Sequence, residues 1–186
     1  MTQTYVAFLR GINVGGKSLL RMEELKKVLE KHGLKQIKTI LASGNVVFQT
    51  KQQTNKQIAD GIEQAIKTAL GRKISVIIRS EQEINDLVEK DPFAEVPIVF
   101  STRTYISFLQ HPIPANFVPP TTWQQTNVDM SVLSPTEIRE VFEISDSKNS
   151  TDIMSVVEKT LGKGVTTRTW STILKVQNAM QTLPSN

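Results

Sequence analysis

Apolar positions along the chain change period several times, and each change marks an element. Tyr5 to Arg10 is a short apolar and aromatic run of the kind that forms a strand, and a glycine-rich loop follows it. Met22, Leu25, Val28 and Leu29 recur at helical spacing, with Gly33 as the stop. Ile37 to Leu41 and Val46 to Gln49 are two β-branched runs, and the Ala42-Ser43-Gly44-Asn45 between them has the composition of a hairpin. A second helical stripe, Ile58, Ile62, Ala65, Ile66, Ala69 and Leu70, closes at Gly71 before a strand over Ile74 to Arg79. Strand, helix, strand, strand, helix, strand is the order of a ferredoxin-like, or split βαβ, unit.

The second half is less regular. Ser80 with Glu83 makes a capping box that opens a helix through Ile84, Leu87 and Val88, ending at Asp91-Pro92. Tyr105 to Leu109, Asn127 to Leu133 and Glu137 to Ile144 read as strands, HPIPANFVPP as a proline-rich loop, and Asp152 to Leu161 as a helix stopped by Gly162. Trp170, Ile173, Leu174 and Gln177 fall on one helical face, with Trp170 as a core anchor. No internal repeat and no low-complexity tract stands out. The expected architecture is α+β: a ferredoxin-like (βαββαβ) N-terminal subdomain with its capping helix over 1–96, packed on a smaller C-terminal α+β subdomain over 97–186 in one compact unit.

Gly11 to Ser18 satisfies the nucleotide-binding pattern G-x-x-x-x-G-K-[ST] letter for letter. In a true P-loop, Lys17 would reach the phosphates and Ser18 would ligate Mg²⁺. The order of elements argues otherwise, because P-loop domains alternate strand and helix into a parallel sheet and need a second strand ending in Asp. Here the strand from Ile74 ends in Arg79, and Asp129 sits in the middle of its run.

The ferredoxin-like order offers a different site. The first and third strands should pair antiparallel, which brings the loop leaving the first strand beside the hairpin entering the third. Arg10, Gly11, Asn13, Gly15, Gly16, Lys17, Ser43, Gly44 and Asn45 would then gather side chains and exposed N–H groups suited to an anion. Glycines that merely permit tight turns are the competing reading. Arg168 precedes a helix whose dipole disfavours a cation, so it is held by a carboxylate or offered to a ligand.

Composition changes this picture little. With 39% hydrophobic and 22% charged residues the chain reads as globular; it has no long apolar run or leader, so no membrane role and a cytoplasmic location are expected. The absence of cysteine removes disulfides, thiol catalysis and Cys-based zinc sites, no metal or cofactor is implied, and His32 and His111 read as structural or solvated. The net charge of +4 is unevenly spread: residues 1–40 hold eight Lys or Arg against three Glu, whereas residues 81–95 hold six carboxylates against Lys90.

RGINVGGK at 10–17, Met22, SGNVVF at 43–48, Asp91-Pro92-Phe93 and TTRTWSTILKV at 166–176 together resemble the domain-of-unknown-function 1697 family over nearly the whole chain. The resemblance implies a two-part α+β protein with a ferredoxin-like N-terminal part and brings no established activity, substrate or catalytic residue. The chain carries Thr169 and Ser171 where that family more often has Asn.

Three function classes fit these residues. The first is a binding module for a phosphate-bearing ligand, a nucleotide or a nucleic-acid backbone, using Arg10, Lys17 and Arg168. The second is a small phosphotransferase or hydrolase built on the same pocket with an unidentified carboxylate as base. The third is a protein–protein interaction domain. An RNA-recognition surface fits poorly, because Tyr5 to Leu9 is apolar on both faces and such a surface needs an open sheet. Whether the protein is an enzyme, and its oligomeric state, are not written in these residues.

Overall fold

A computed structural model describes residues 1–13, 19–114, 117, 128–143, 157–158, 161–162 and 164–184. Contacts divide the chain into two units, residues 1–89 with 172–186, and residues 90–171.

The first unit comprises β1 (Thr2–Leu9), α1 (Met22–Lys31), β2 (Lys35–Ile40), β3 (Asn45–Lys51), α2 (Asn55–Leu70), β4 (Val76–Ser80) and α3 (Glu81–Glu89). Its sheet has the order β2-β3-β1-β4 with every neighbouring pair antiparallel. β1 and β2 therefore run in the same direction with β3 between them, which is the ferredoxin-like arrangement. A P-loop fold would need parallel neighbours, so that reading is set aside.

Alternation along β1 divides its side chains between two faces. Tyr5, Ala7 and Leu9 join Val46, Phe48, Val76 and Ile78 in a core closed by Leu25 and Leu29 of α1 and Ile58, Ile62 and Ile66 of α2. The Tyr5 and Phe48 rings stack at 6.1 Å. On the opposite face Val6, Phe8, Val47 and Ile77 are also buried. α3 packs against β1 and β4. The C-terminal helix α4 (Trp170–Gln181) is tied alongside, as Gln177 donates to Asn85 while the segment after it receives bonds from Lys38 and Gln49. The face that an RNA platform would need is thus covered within this unit.

The ends of the helices follow local chemistry. Thr54 and Gln57 form a capping box on α2, and Ser80 with Glu83 forms the expected one on α3. After α1, Gly33 at φ +98° lets Leu34 N–H reach back to Leu29 O. Two expected stripes shift. Ala65 and Ala69 do not reach the core, and α4 buries Thr172, Ile173, Val176, Ala179 and Met180 while Leu174 is exposed. Among the described residues no helix is long and apolar enough to cross a membrane.

The second unit contains β5 (Thr102–Leu109), β6 (Val128–Ser134), β7 (Glu137–Glu143) and β8 (Val165–Thr169), in the order β6-β7-β5-β8 with all pairs antiparallel. This is the strand order of the first sheet, with β5 standing for β1, and the correspondence extends to single residues. Tyr5 pairs with Phe48 and Tyr105 with Glu140; Val6 pairs with Arg79 and Ile106 with Arg168. Each arginine donates from Nη1 to the carbonyl of the residue before it, at 2.8 Å in both cases. β4 and β8 each run directly into a helix. The expected helix over Asp152 to Leu161 lies largely outside the described residues, although Gly162 closes it at φ +79° with a bond to Glu158 O.

Glu140 departs from the core it occupies. It lies between Ile138 and Phe142, both members of the second unit's apolar cluster, and is completely buried. Neither carboxyl oxygen has a hydrogen-bond partner among the described residues. Burial pushes its pKa up to about 8, and the Ser107 hydroxyl on the same face offsets only part of the rise. That hydroxyl makes its short contact, 2.5 Å, with Thr167 Oγ1 instead.

This arrangement makes stability depend on pH with a definite sign. The unfolded chain releases the Glu140 proton near the ordinary value of 4.5, whereas the folded chain keeps it to about 8. Stability should therefore fall as pH rises through that window, by up to about 1.4 kcal/mol per unit, and level off above it. Denaturant titrations from pH 4 to pH 9 should show this component in the wild type and lack it in Glu140→Gln, while Glu140→Leu should be the more stable protein at pH 8. Equal slopes in wild type and Glu140→Gln would contradict the assignment.

Candidate functional site

The corner at the end of β1 is fixed by the backbone. Phe8 pairs with Asn45, Leu9 N–H donates to Gly44 O at 2.8 Å, and Arg10 N–H donates to Ser75 O at 2.9 Å. Arg10, Gly11, Asn13, Ser43, Gly44 and Asn45 are thereby brought together as the antiparallel pairing requires. Gly15, Gly16 and Lys17 lie outside the described residues, as does Ser18.

The polar residues of this corner divide by what they do. Asn13, at φ +58°, donates from Nδ2 to Leu20 O (3.1 Å) and Ala42 O (2.8 Å) and accepts at Oδ1 from Leu20 N–H (2.7 Å). Its amide therefore joins the two described ends of the glycine-rich segment to each other and to the hairpin. Asn45 is fully buried, and its Nδ2 donates to Ile40 O and Ser43 Oγ, closing the hairpin. Gly44, at φ +80°, has no room for a side chain, because a Cβ there would stand 2.8 Å from Ile12. Asn13, Asn45 and Gly44 are thus braces. Gly11 and Ser43 are exposed, and Arg10 and Asn13 are half-buried.

The second unit builds the same corner from different residues. Leu109 N–H donates to Thr136 O and Gln110 N–H to Gly164 O, which are the counterparts of the bonds made by Leu9 and Arg10. Where the first corner has Arg10, Gly11 and Asn13, the second has Gln110, His111 and Ile113. Ile113 is bonded to Pro135 O through its backbone N–H alone. At these three equivalent positions the second corner has no glycine, no Lys or Arg and no asparagine.

Arg168 belongs to the other unit. It stands in β8, two residues before α4, and its Nη1 donates to Thr166 Oγ1 at 2.7 Å as well as to Thr167 O. Burial pushes its pKa down to about 10, which leaves it cationic at neutral pH. Trp170 packs on Phe93 with ring centroids 5.2 Å apart, so it serves as an anchor. A polar recess of about 350 Å³ is lined by Glu95, Thr102, Asp129 and Arg139, and the Arg139–Asp129 ion pair fills its chemistry from within. Sequence reasoning misses Glu140, although the alternation Ile138, Glu140, Phe142 places it on the apolar face of its strand.

The family model described as Protein of unknown function (DUF1697) matches residues 1–138. Among solved structures, the conserved bacterial protein SP0830 from Streptococcus pneumoniae is similar, with a TM-score of 0.74 at 20% identity over 97% of this chain and 99% of that one. At that identity the likeness is one of fold. No curated protein matches. The resemblance carried by the glycine loop, the SGNVVF hairpin and the Asp-Pro-Phe segment is thus a matter of descent, and the chain belongs to the DUF1697 family of unknown function.

Proposed function

We propose that the protein binds a phosphate-bearing ligand, a nucleotide or a nucleic-acid backbone, at the loop Gly11 to Lys17 and the hairpin Ser43 to Asn45. The observation that carries this reading is the contrast between the two equivalent corners. One fold builds the same backbone junction twice, and only the first copy is supplied with Gly15, Gly16, Lys17 and an asparagine whose whole amide is spent on bracing the segment that holds them. A loop held at both ends offers its N–H groups to an anion at little ordering cost. Lys17 and Arg10 supply the charge. Arg168, in the other unit, is a separate candidate for an anion, and a cytoplasmic setting accords with a chain free of cysteine.

The test is a titration of nucleotides and short oligonucleotides at two ionic strengths, with thermal melts in parallel. Lys17→Ala should weaken binding about ten- to a hundredfold, the loss of one charge-assisted contact worth roughly 1.5–3 kcal/mol, and should leave the melt unchanged. Salt should weaken the wild type more than this variant if the ligand is polyanionic. Wild-type binding no tighter than millimolar, or equal binding by Lys17→Ala, would reduce the loop to a turn.

Two further variants separate brace from contact. Asn13→Ala should cost about 1–3 kcal/mol through the acceptors and the donor left unpaired, and should weaken binding even where the protein is fully folded. Gly44→Val should cost about 2–4 kcal/mol through left-handed strain and the clash with Ile12, and should show itself first as a lowered melting temperature.

A further inference from the structure

The register that builds the first corner also brings a third chain segment to it. β1 pairs with β4 on the side away from β3, with Leu9 opposite Val76 and Arg10 N–H on Ser75 O at 2.9 Å. Residues 71–75, which lead into β4, therefore arrive at the same end of the sheet as the glycine-rich loop and the hairpin. Lys73 there is exposed and makes no ion pair among the described residues, and Arg72 is half-buried. Leu20 is bonded to Asn13, which sets the exposed Arg21 one residue beyond the brace.

These segments differ from the rest of the chain in charge. Residues 10–22, 41–45 and 71–76 contain Arg10, Lys17, Arg21, Arg72 and Lys73 and not one Asp or Glu, although the whole chain has 18 acidic residues against 22 basic. Carboxylates of the neighbouring helices have structural duties. Glu63 accepts from Val76 N–H at 2.9 Å, and Glu23 and Glu24 occupy the first turn of α1, where its dipole favours them. The same three segments hold no Phe, Tyr, Trp or His.

The basic positions follow the strand ends in a row and do not surround a point. β3, β1 and β4 are consecutive in the sheet, so Gly44 and Ser75 stand two strand spacings apart, about 10 Å. One phosphate does not span that width, whereas about three successive phosphates of a strand, about 3.4 Å apart along a duplex axis, cover it. We infer, building on the phosphate-binding reading of the loop, that the ligand is a nucleic-acid backbone, which crosses this end of the sheet from the glycine-rich loop to Lys73 and is held without regard to base. Cations and N–H groups take phosphate oxygens, and segments without an aromatic ring offer the bases no stacking platform.

Titrations of the full chain with inorganic phosphate, ATP, a short oligothymidylate and a short oligoadenylate test the inference. The two oligonucleotides should bind alike. Lys73→Ala should weaken both about tenfold and make the slope of log affinity against log salt shallower by about 0.7, while phosphate binding, ATP binding and the thermal melt stay as in the wild type. Lys17→Ala should weaken every ligand. Lys35→Ala removes the same charge at the opposite end of the sheet, where Lys35 stands beside Gln49 and Gln49 beside Thr4, and should change none of them. If phosphate and ATP bind through Lys17 but Lys73→Ala holds oligonucleotides as well as the wild type, the loop reading stands and the inference falls. Lys73→Ala weakening ATP as much as the oligonucleotides, or Lys35→Ala matching Lys73→Ala, overturns it equally. A wild type that binds none of the four overturns both.

Discussion

Everything at the candidate site depends on the antiparallel pairing of β1 with both of its neighbours. Because β1 lies between β3 and β4, its last residues meet the first residues of each, through Leu9 N–H to Gly44 O on one side and Arg10 N–H to Ser75 O on the other. The loop after β1 therefore opens beside a hairpin. In a parallel nucleotide-binding sheet the equivalent loop would open beside the C-terminal ends of other strands, where metal-binding carboxylates stand. The letters of Gly11 to Ser18 are compatible with both settings, since in each a strand must turn into the next helix within a few residues. Strand direction, which no short pattern encodes, separates them.

That direction is nevertheless legible, because it follows from the order of elements, and the order follows from hydrophobic period. The strands and helices of the first unit are readable since each buries a full face: Leu25 and Leu29 on α1, Ile58, Ile62 and Ile66 on α2. Small residues defeat the same reasoning. Ala65 and Ala69 keep the helical period but line a surface groove, because a methyl group suits either place at little cost. Leu174 misleads for a different reason. Its spacing from Trp170 implies a single buried face on α4, yet Trp170 packs on Phe93 within residues 90–171, whereas the helix from Thr172 onward is counted with the first unit and buries a rotated stripe. Arg168 can be placed before a helix, but its strand register, and hence its burial, is a property of pairing.

The repeated strand order leaves only a local trace in the sequence, where TQTYVAFL at 2–9 and TRTYISFL at 102–109 agree at five of eight positions. Ferredoxin-like connectivity is dictated by burial parity and the handedness of crossovers, neither of which needs the same side chains twice. At equivalent positions the two halves keep Tyr5 and Tyr105, and Arg79 and Arg168, but put Phe48 opposite one tyrosine and Glu140 opposite the other. The shared residues of one strand and a lone arginine of another are too few to mark a repeat across the whole sheet. They become meaningful once register aligns them, and the shared bond from arginine Nη1 to the preceding carbonyl shows that the buried guanidinium is accommodated in the same way each time.

Repetition also supplies an internal control for function. Where both halves need the same thing, such as the backbone bonds that close the corner after the first strand, the need is structural. Where one half carries something the other does without, stability is a weaker explanation. Gln110 and Ile113 complete their corner with backbone bonds, whereas Asn13 commits both amide protons and its carbonyl oxygen to Leu20 and Ala42, on either side of a glycine-rich, lysine-bearing stretch of sequence. Glycines raise the conformational entropy that folding must overcome, and a positive-φ asparagine adds strain. A corner that accepts both costs when its twin avoids them is better explained by something the loop holds than by the fold it closes.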